Sequence, residues 1–157
     1  MSETGIGSPF ELSLRILLML NELHDFSLDR QQIEAIDFMA VYAADFGLLD
    51  ENLHGYGSYR FSEFTARKLI IEPALRDLVL AGDVRINPSS DGYRYSITEK
   101  GKNACLQMKS GYADEYIIAI QAVAEGFDID DTSAMINEIN RVTLRSIKEV
   151  GHEQVLY

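Results

Sequence analysis

Few residues in this chain have the types and spacing that catalysis or metal binding requires. Three histidines occur, His24, His54 and His152, in unrelated stretches with no cysteine or carboxylate at zinc-ligand spacing. The single cysteine, Cys105, lies in an amphipathic segment, so we expect a small buried side chain. One cysteine also excludes an internal disulfide and fits a reducing cytosol. We therefore expect no zinc site and no cysteine nucleophile.

A cluster of carboxylates at Asp128–Asp131 suggests calcium at first sight. A calcium loop starting there would need glycine at its sixth position and glutamate at its twelfth, where this chain has Ser133 and Ile139. Acidic residues that open a helix and interact with its dipole are the better interpretation. Nucleotide-binding and hydrolase motifs do not occur either. The sequence thus predicts a protein that is not an enzyme and has no cofactor and no metal.

The stretch Glu72–Gly101 has the clearest succession of predicted elements in the chain. Apolar residues at helical spacing precede Gly82, and two short alternating runs follow, joined by the turn residues Asn87-Pro88 and Asp91-Gly92. Thr98 can then cap another helix. Helix, hairpin and helix in this order predict the recognition helix and wing of a winged helix.

The remaining segments have helical periodicity. A capping box is expected at Ser8-Pro9, and acidic residues (Asp29, Glu34, Asp37 and Asp45) line much of the non-apolar face of the second helix. A break or kink is expected at Pro73. The predicted helices span residues 8–23, 28–46, 62–81, 99–109, 113–125 and 132–150. The fold class is mainly α with a small β-hairpin: a winged-helix-like domain over 8–110 and a C-terminal helical extension over 111–157.

Charge is distributed unevenly along the chain. The net charge is −11, with −7 over residues 1–62, +2 over 63–110 and −6 over 111–157. A wing that contacts DNA would use Arg85 and Arg94, with Arg76 on the preceding helix. A solvated face of mixed charge is the alternative. Because the overall field repels phosphates, we expect DNA to bind only weakly, or within a complex.

The loop over residues 53–61 is a candidate for protein contact. It contains His54, Tyr56, Tyr59 and Arg60, residue types that are enriched at interface hot spots. The alternative is that these aromatic side chains fold back onto their own domain. Both interpretations remain open from the sequence.

The last helix has an apolar seam that contains Met135, Ile139 and Val142. We expect this seam either to form a homodimer or to dock on a partner. The longest apolar runs are too short to cross a bilayer, and the first ten residues lack a signal-peptide pattern. The expected location is the cytoplasm, with no membrane contact.

Several soft motifs occur in a fixed order between residues 8 and 105. They comprise Phe10, Glu11 and Arg15; Leu28, Asp29 and Asp37; the acidic helix end at Asp45; and Leu53-His54-Gly55 followed by Arg60. In order and spacing they resemble the middle component of ABC-three-component systems, which are related to Lamassu-type defence against phage and plasmids. The resemblance covers about two-thirds of the chain and leaves residues after 111 unassigned.

The resemblance implies a non-catalytic adaptor in a bacterial defence complex. Its partners would be an SMC/Rad50-like ATPase subunit and a nuclease-type effector subunit. It would relay the state of the ATPase to the effector. The competing hypothesis from the residues alone is a winged-helix DNA-binding transcription regulator.

Overall fold

The computed structural model describes residues 8–156 of the chain, with side chains described for 8–149. The protein is mainly helical, with one two-stranded antiparallel hairpin and helices at its C-terminal end. The elements are α1 Pro9–Glu22, α2 Arg30–Val41, α3 Glu63–Ala66, α4 Lys68–Leu80, β1 Val84–Ser89, β2 Gly92–Ile97, α5 Glu99–Leu106, α6 Gly111–Gly126 and α7 Thr132–Leu156. Short 3-10 helices span Ala43–Phe46 and Arg60–Ser62.

Local sequence signals start the first two helices. The Ser8 hydroxyl accepts a hydrogen bond from the Glu11 amide at 3.2 Å, and the Glu11 carboxylate accepts one from the Ser8 amide at 3.4 Å. Asp29 and Gln32 form the same reciprocal arrangement at the start of α2, with both bonds at 2.8 Å. The capping box predicted at Ser8 is therefore confirmed.

Several predicted helix boundaries need correction; α5, for example, ends at Leu106 rather than at Lys109, and the largest differences lie in the second and third predicted helices. The second helix ends at Val41 rather than at Phe46, because a 3-10 helix follows and terminates at Gly47, where φ is 70°. The third predicted helix is interrupted at Arg67, and α4 continues through Pro73. Proline already has a helical φ, so its cost is the hydrogen bond that its missing N–H would have given to Leu69.

The hairpin is tied to the link between α1 and α2. The strands pair in register from Val84 opposite Ile97 to Ser89 opposite Gly92. Leu28 adds a one-residue bridge to β2, donating to the Tyr95 carbonyl at 3.1 Å and accepting from the Tyr95 amide at 2.7 Å. The hairpin is thus anchored by backbone hydrogen bonds as well as by sequence proximity.

A continuous hydrophobic core joins α1 and α2 to α6 and α7. Met135, Ile139 and Val142 belong to this core, with exposed fractions of 0%, 0% and 3%. The expected seam of the last helix is therefore covered by the chain itself. These three residues would reach another chain only if α7 left this core, so an interface role for them stays a prediction.

The helices described over residues 8–156 are either too short or too polar for any of them to cross a membrane.

Candidate protein-binding site

A buried ionic network connects four parts of the fold. Asp37, on α2, is fully buried and accepts hydrogen bonds from Arg15 of α1, with Nε at 2.9 Å and Nη2 at 3.1 Å. Arg67, in the turn before α4, donates to the same carboxylate from Nε at 2.9 Å, and the Tyr116 hydroxyl of α6 donates at 2.7 Å. One carboxylate therefore aligns α1, α2, α4 and α6.

The electrostatics of this network follow from its burial. Burial alone would raise the pKa of Asp37, but the charges of Arg15 and Arg67 and the hydrogen bonds hold that pKa well below its ordinary value. Burial also raises the pKa of Tyr116, next to the Asp37 carboxylate. The Asp37 and Arg67 side chains have no exposed surface. The network stabilises the fold and offers no group to a ligand in solution.

The sequence pattern does not reveal this network, because Asp37 lies among the acidic residues that line the non-apolar face of the second predicted helix. Two local signals were available. Arg15 interrupts an apolar run, with Leu12 and Ile16 buried beside it, and Asp37 follows the buried Ile36. Charged residues among apolar ones are seldom buried unless they are paired.

A second ionic contact closes the loop over residues 47–61, which we call the clasped loop. Arg60 binds Asp45 with two hydrogen bonds, Nε to Oδ2 at 2.8 Å and Nη2 to Oδ1 at 2.7 Å. Asn52 accepts from the Ala44 amide at 2.8 Å and donates to Asp45 Oδ2 at 2.9 Å. Bidentate geometry fixes orientation as well as distance. The loop therefore has a defined shape despite its length.

The four residues predicted for protein contact divide into two pairs. His54 Nε2 lies 2.6 Å from the Tyr112 hydroxyl, and its ring stacks on Tyr112 with centroids 5.9 Å apart, which fastens the clasped loop to α6. Arg60 closes the loop as described. The rings of Tyr56 and Tyr59 face solvent, with exposed fractions of 53% and 66%. Only the two tyrosines present substantial contact surface.

The three arginines predicted for DNA contact are also in unlike environments. Arg94 donates to the Ser27 carbonyl at 3.0 Å and to Gln32 Oε1 at 3.2 Å, so it holds the hairpin against the α1–α2 link. Arg85 and Arg76 are exposed. Only these last two keep surface available for a phosphate.

The part of the chain with described side chains contains no group of three His, Cys, Asp or Glu residues placed to hold a metal ion. Cys105 is buried, and burial raises the pKa of its thiol to about 11. His152 lies outside the residues whose side chains are described.

These features define a small, mainly helical protein with one anchored hairpin and a clasped aromatic loop. The chain belongs to the family of the ABC-three component (ABC-3C) system Middle Component 2, whose model matches residues 5–149. The match extends beyond the resemblance seen in the sequence, since it includes α6 and most of α7. No curated protein and no solved structure matches the chain. As a middle component it has other subunits of its system as partners.

Proposed function

We propose that this protein is a non-catalytic adaptor that connects an SMC/Rad50-like ATPase subunit to a nuclease-type effector in a bacterial defence complex. Membership of the middle-component family supports the role. The observation that carries it is the clasped loop, which holds two exposed tyrosines on a backbone fixed by Arg60, Asp45 and Asn52.

The clasped loop has the properties of a binding surface. Tyrosine supplies a large contact area and loses little side-chain entropy when it is fixed in an interface. Because Asp45 and Arg60 already order the backbone, binding a partner does not have to supply that ordering free energy. Tyr56 is further oriented through its hydroxyl, which accepts from the Asn52 amide and donates to Glu51, each at 3.1 Å.

The absence of catalysis is part of the proposal. The polar cluster around Asp37 is buried, and the Asp37 carboxylate accepts four hydrogen bonds from Arg15, Arg67 and Tyr116. A reacting group needs contact with its substrate, which these side chains do not have.

A winged-helix shape is also proposed. The order α1, the Leu28 bridge, α2, α4 and the β1–β2 hairpin is the order of that fold, with Leu28 in place of the first strand. Arg94 holds the hairpin, which would be the wing, against the α1–α2 link. The chain also carries a net charge of −11. Both facts favour an adaptor over a transcription regulator, and DNA contact by Arg85 and Arg76 within a complex stays a prediction.

Co-expression with the proposed ATPase and effector subunits tests the adaptor role. We expect one complex on size-exclusion chromatography, and we expect Tyr59→Ala to weaken it by about tenfold or more, as for a hot-spot aromatic residue. Tyr93→Ala is the matched control, because Tyr93 is similarly exposed at 60% but lies on the hairpin. Separate elution of wild-type protein and both subunits in moderate salt would contradict the proposal. If Tyr59→Ala and Tyr93→Ala bind the other subunits with equal affinity, the clasped loop is excluded as the contact.

A further inference from the structure

The clasped loop and α6 enclose a groove with an acidic rim. At one end, Leu48 packs directly against Gly126 of α6. A Cβ atom added to Gly126 would lie only 2.5 Å from Leu48 Cδ2. The other end is fastened by His54 on Tyr112. Residues 48–54 therefore run along α6 from its C-terminal to its N-terminal end, and both walls of the groove are fixed.

The groove combines an apolar floor with negative charge. Its volume is about 260 Å³, its floor includes Leu53, Ile118 and Ala119, and its rim carries Asp50, Glu51 and Glu115. Ile118 is 52% exposed. Among the residues whose side chains are described, no cationic one lines the groove. A fitting occupant has apolar side chains flanked by lysine or arginine.

The second half of α7 has the complementary character. Leu144 and Ile147 each expose 59% of their surface and lie three residues apart, on neighbouring turns of the helix. Arg141, Arg145 and Lys148 flank them and are exposed, and residues 139–148 contain no carboxylate. Of these cations, Arg141 already binds Glu138, with hydrogen bonds of 2.9 and 2.6 Å. Exposed leucine and isoleucine side chains bordered by cations form the kind of surface that the groove fits.

We propose that two copies of this chain associate by placing residues 141–148 of α7 from each copy in the acidic groove of the other. A twofold axis would create the contact twice, with Leu144 and Ile147 above the apolar floor and Arg145 and Lys148 against Asp50 and Glu115. This dimer uses the outer face of α7, so Met135, Ile139 and Val142 keep their places in the core.

Sedimentation of the purified full chain, combined with charge exchange, tests the dimer. One variant reverses the groove (Asp50→Lys with Glu115→Lys) and another reverses the helix (Arg145→Glu with Lys148→Glu). Wild-type protein should reach twice the 17.7 kDa chain mass, and each variant alone should weaken association by about tenfold or more, because like charges then face each other. An equimolar mixture should restore the dimer, since both contacts again join opposite charges.

The control Asp25→Lys with Asp77→Lys makes the same change in net charge as the groove variant, at exposed positions outside the groove, and it should dimerise like wild type. Wild-type protein that stays at 17.7 kDa at its highest soluble concentration would overturn the proposal. Dimers formed by either reversed variant alone, or a mixture that stays monomeric, would also overturn it.

Discussion

Two arginine–aspartate contacts in this protein have the same chemistry and different surroundings. Arg15 and Asp37 meet with side chains that are 3% and 0% exposed, whereas Arg60 and Asp45 are 16% and 14% exposed. The first contact joins two helices through residues that are 22 positions apart in sequence, and Arg67 and Tyr116 also bond to Asp37. The second joins the two ends of a single loop. Burial therefore distinguishes a contact that aligns the fold from one that shapes a surface.

The difference also concerns what happens when one partner is lost. In the core, water cannot replace a missing charge, so the remaining ion is left uncompensated. At the clasped loop, solvent can enter and hydrate the remaining group. Matched substitutions should therefore have different effects. Loss of the buried contact should mainly lower the free energy of unfolding, and loss of the loop contact should mainly weaken partner binding.

The largest effect is expected from Asp37→Asn. The change keeps the side-chain shape but leaves Arg15 buried without a counter-charge and Arg67 with only Glu63, whose Oε1 lies 3.6 Å from Arg67 Nη1. We expect the free energy of unfolding to fall by about 3–5 kcal/mol, as for a broken buried ion pair. Denaturant unfolding followed by circular dichroism measures it, and a loss no larger than that of Asp45→Asn would remove the distinction between the two contacts.

Tyr116→Phe should have the next largest effect and should change the response to acid. It deletes the hydroxyl that donates to Asp37, which we expect to cost about 1.5–3 kcal/mol for a hydrogen bond to a charged group.

The fold holds the pKa of Asp37 below its unfolded value of about 3.9, so its stabilisation is present above that pH and is lost as the pH falls further. Without the Tyr116 hydroxyl, the pKa of Asp37 in the folded protein should rise, so this loss should be smaller in total and should level off at a higher pH. Unfolding free energies measured stepwise from neutral to acid pH check this. Parallel curves for both proteins would mean that Tyr116 does not help to lower the pKa of Asp37.

Asp45→Asn should have a smaller and more local effect. The substitution weakens both hydrogen bonds from Arg60 while the core stays intact, so we expect a loss of about 1–2 kcal/mol. Hydrogen exchange should accelerate at the Ala44 and Arg60 amides and stay unchanged in α1. Partner binding should weaken as well, because the tyrosines lose their ordered support. Faster exchange throughout α1 and α2 would show that the loop contact also stabilises the core.

Glu34→Gln should give the smallest effect, and it should raise rather than lower the free energy of unfolding. Glu34 is buried, its Oε2 lacks a hydrogen-bond partner, and Arg30 Nε lies 3.8 Å away. Burial raises the pKa of Glu34 despite Arg30 and Lys68, so its contribution is favourable in acid and is lost as the pH rises through the raised pKa.

Removing this charge should stabilise the protein at neutral pH by less than about 1 kcal/mol, and the gain should vanish in acid. Chemical unfolding at both pH values measures it. A loss of stability at neutral pH would show that the attraction of Arg30 and Lys68 outweighs the cost of burial.

Much of the fold could be predicted from local patterns. Ser8 with Glu11 marks the start of α1, and Asp91-Gly92 marks the hairpin turn, whereas Asn87 and Pro88, also predicted as turn residues, lie within β1. The ordered motifs that include Arg15, Asp37, Asp45 and Arg60 indicated the family, which the match over residues 5–149 confirms. The structure shows that these four motif residues form the two ionic contacts.

The candidate site was less predictable, since its parts are distant in sequence. The loop residues were chosen by type, but only the fold shows that His54 lies against Tyr112, 58 positions away, and that Arg60 closes the loop. The same limit applies to α7, where periodicity identifies an apolar face without showing that α7 already packs this face against α2 and the core.

The sequence by itself determined the helix caps, the hairpin turn, the uneven charge and the family, because each depends on residue type and short spacing. Tertiary structure alone decided which charges are buried and which aromatic rings face solvent. Burial depends on which distant segments meet, and it sets whether an arginine–aspartate contact stabilises the core or orders a binding loop.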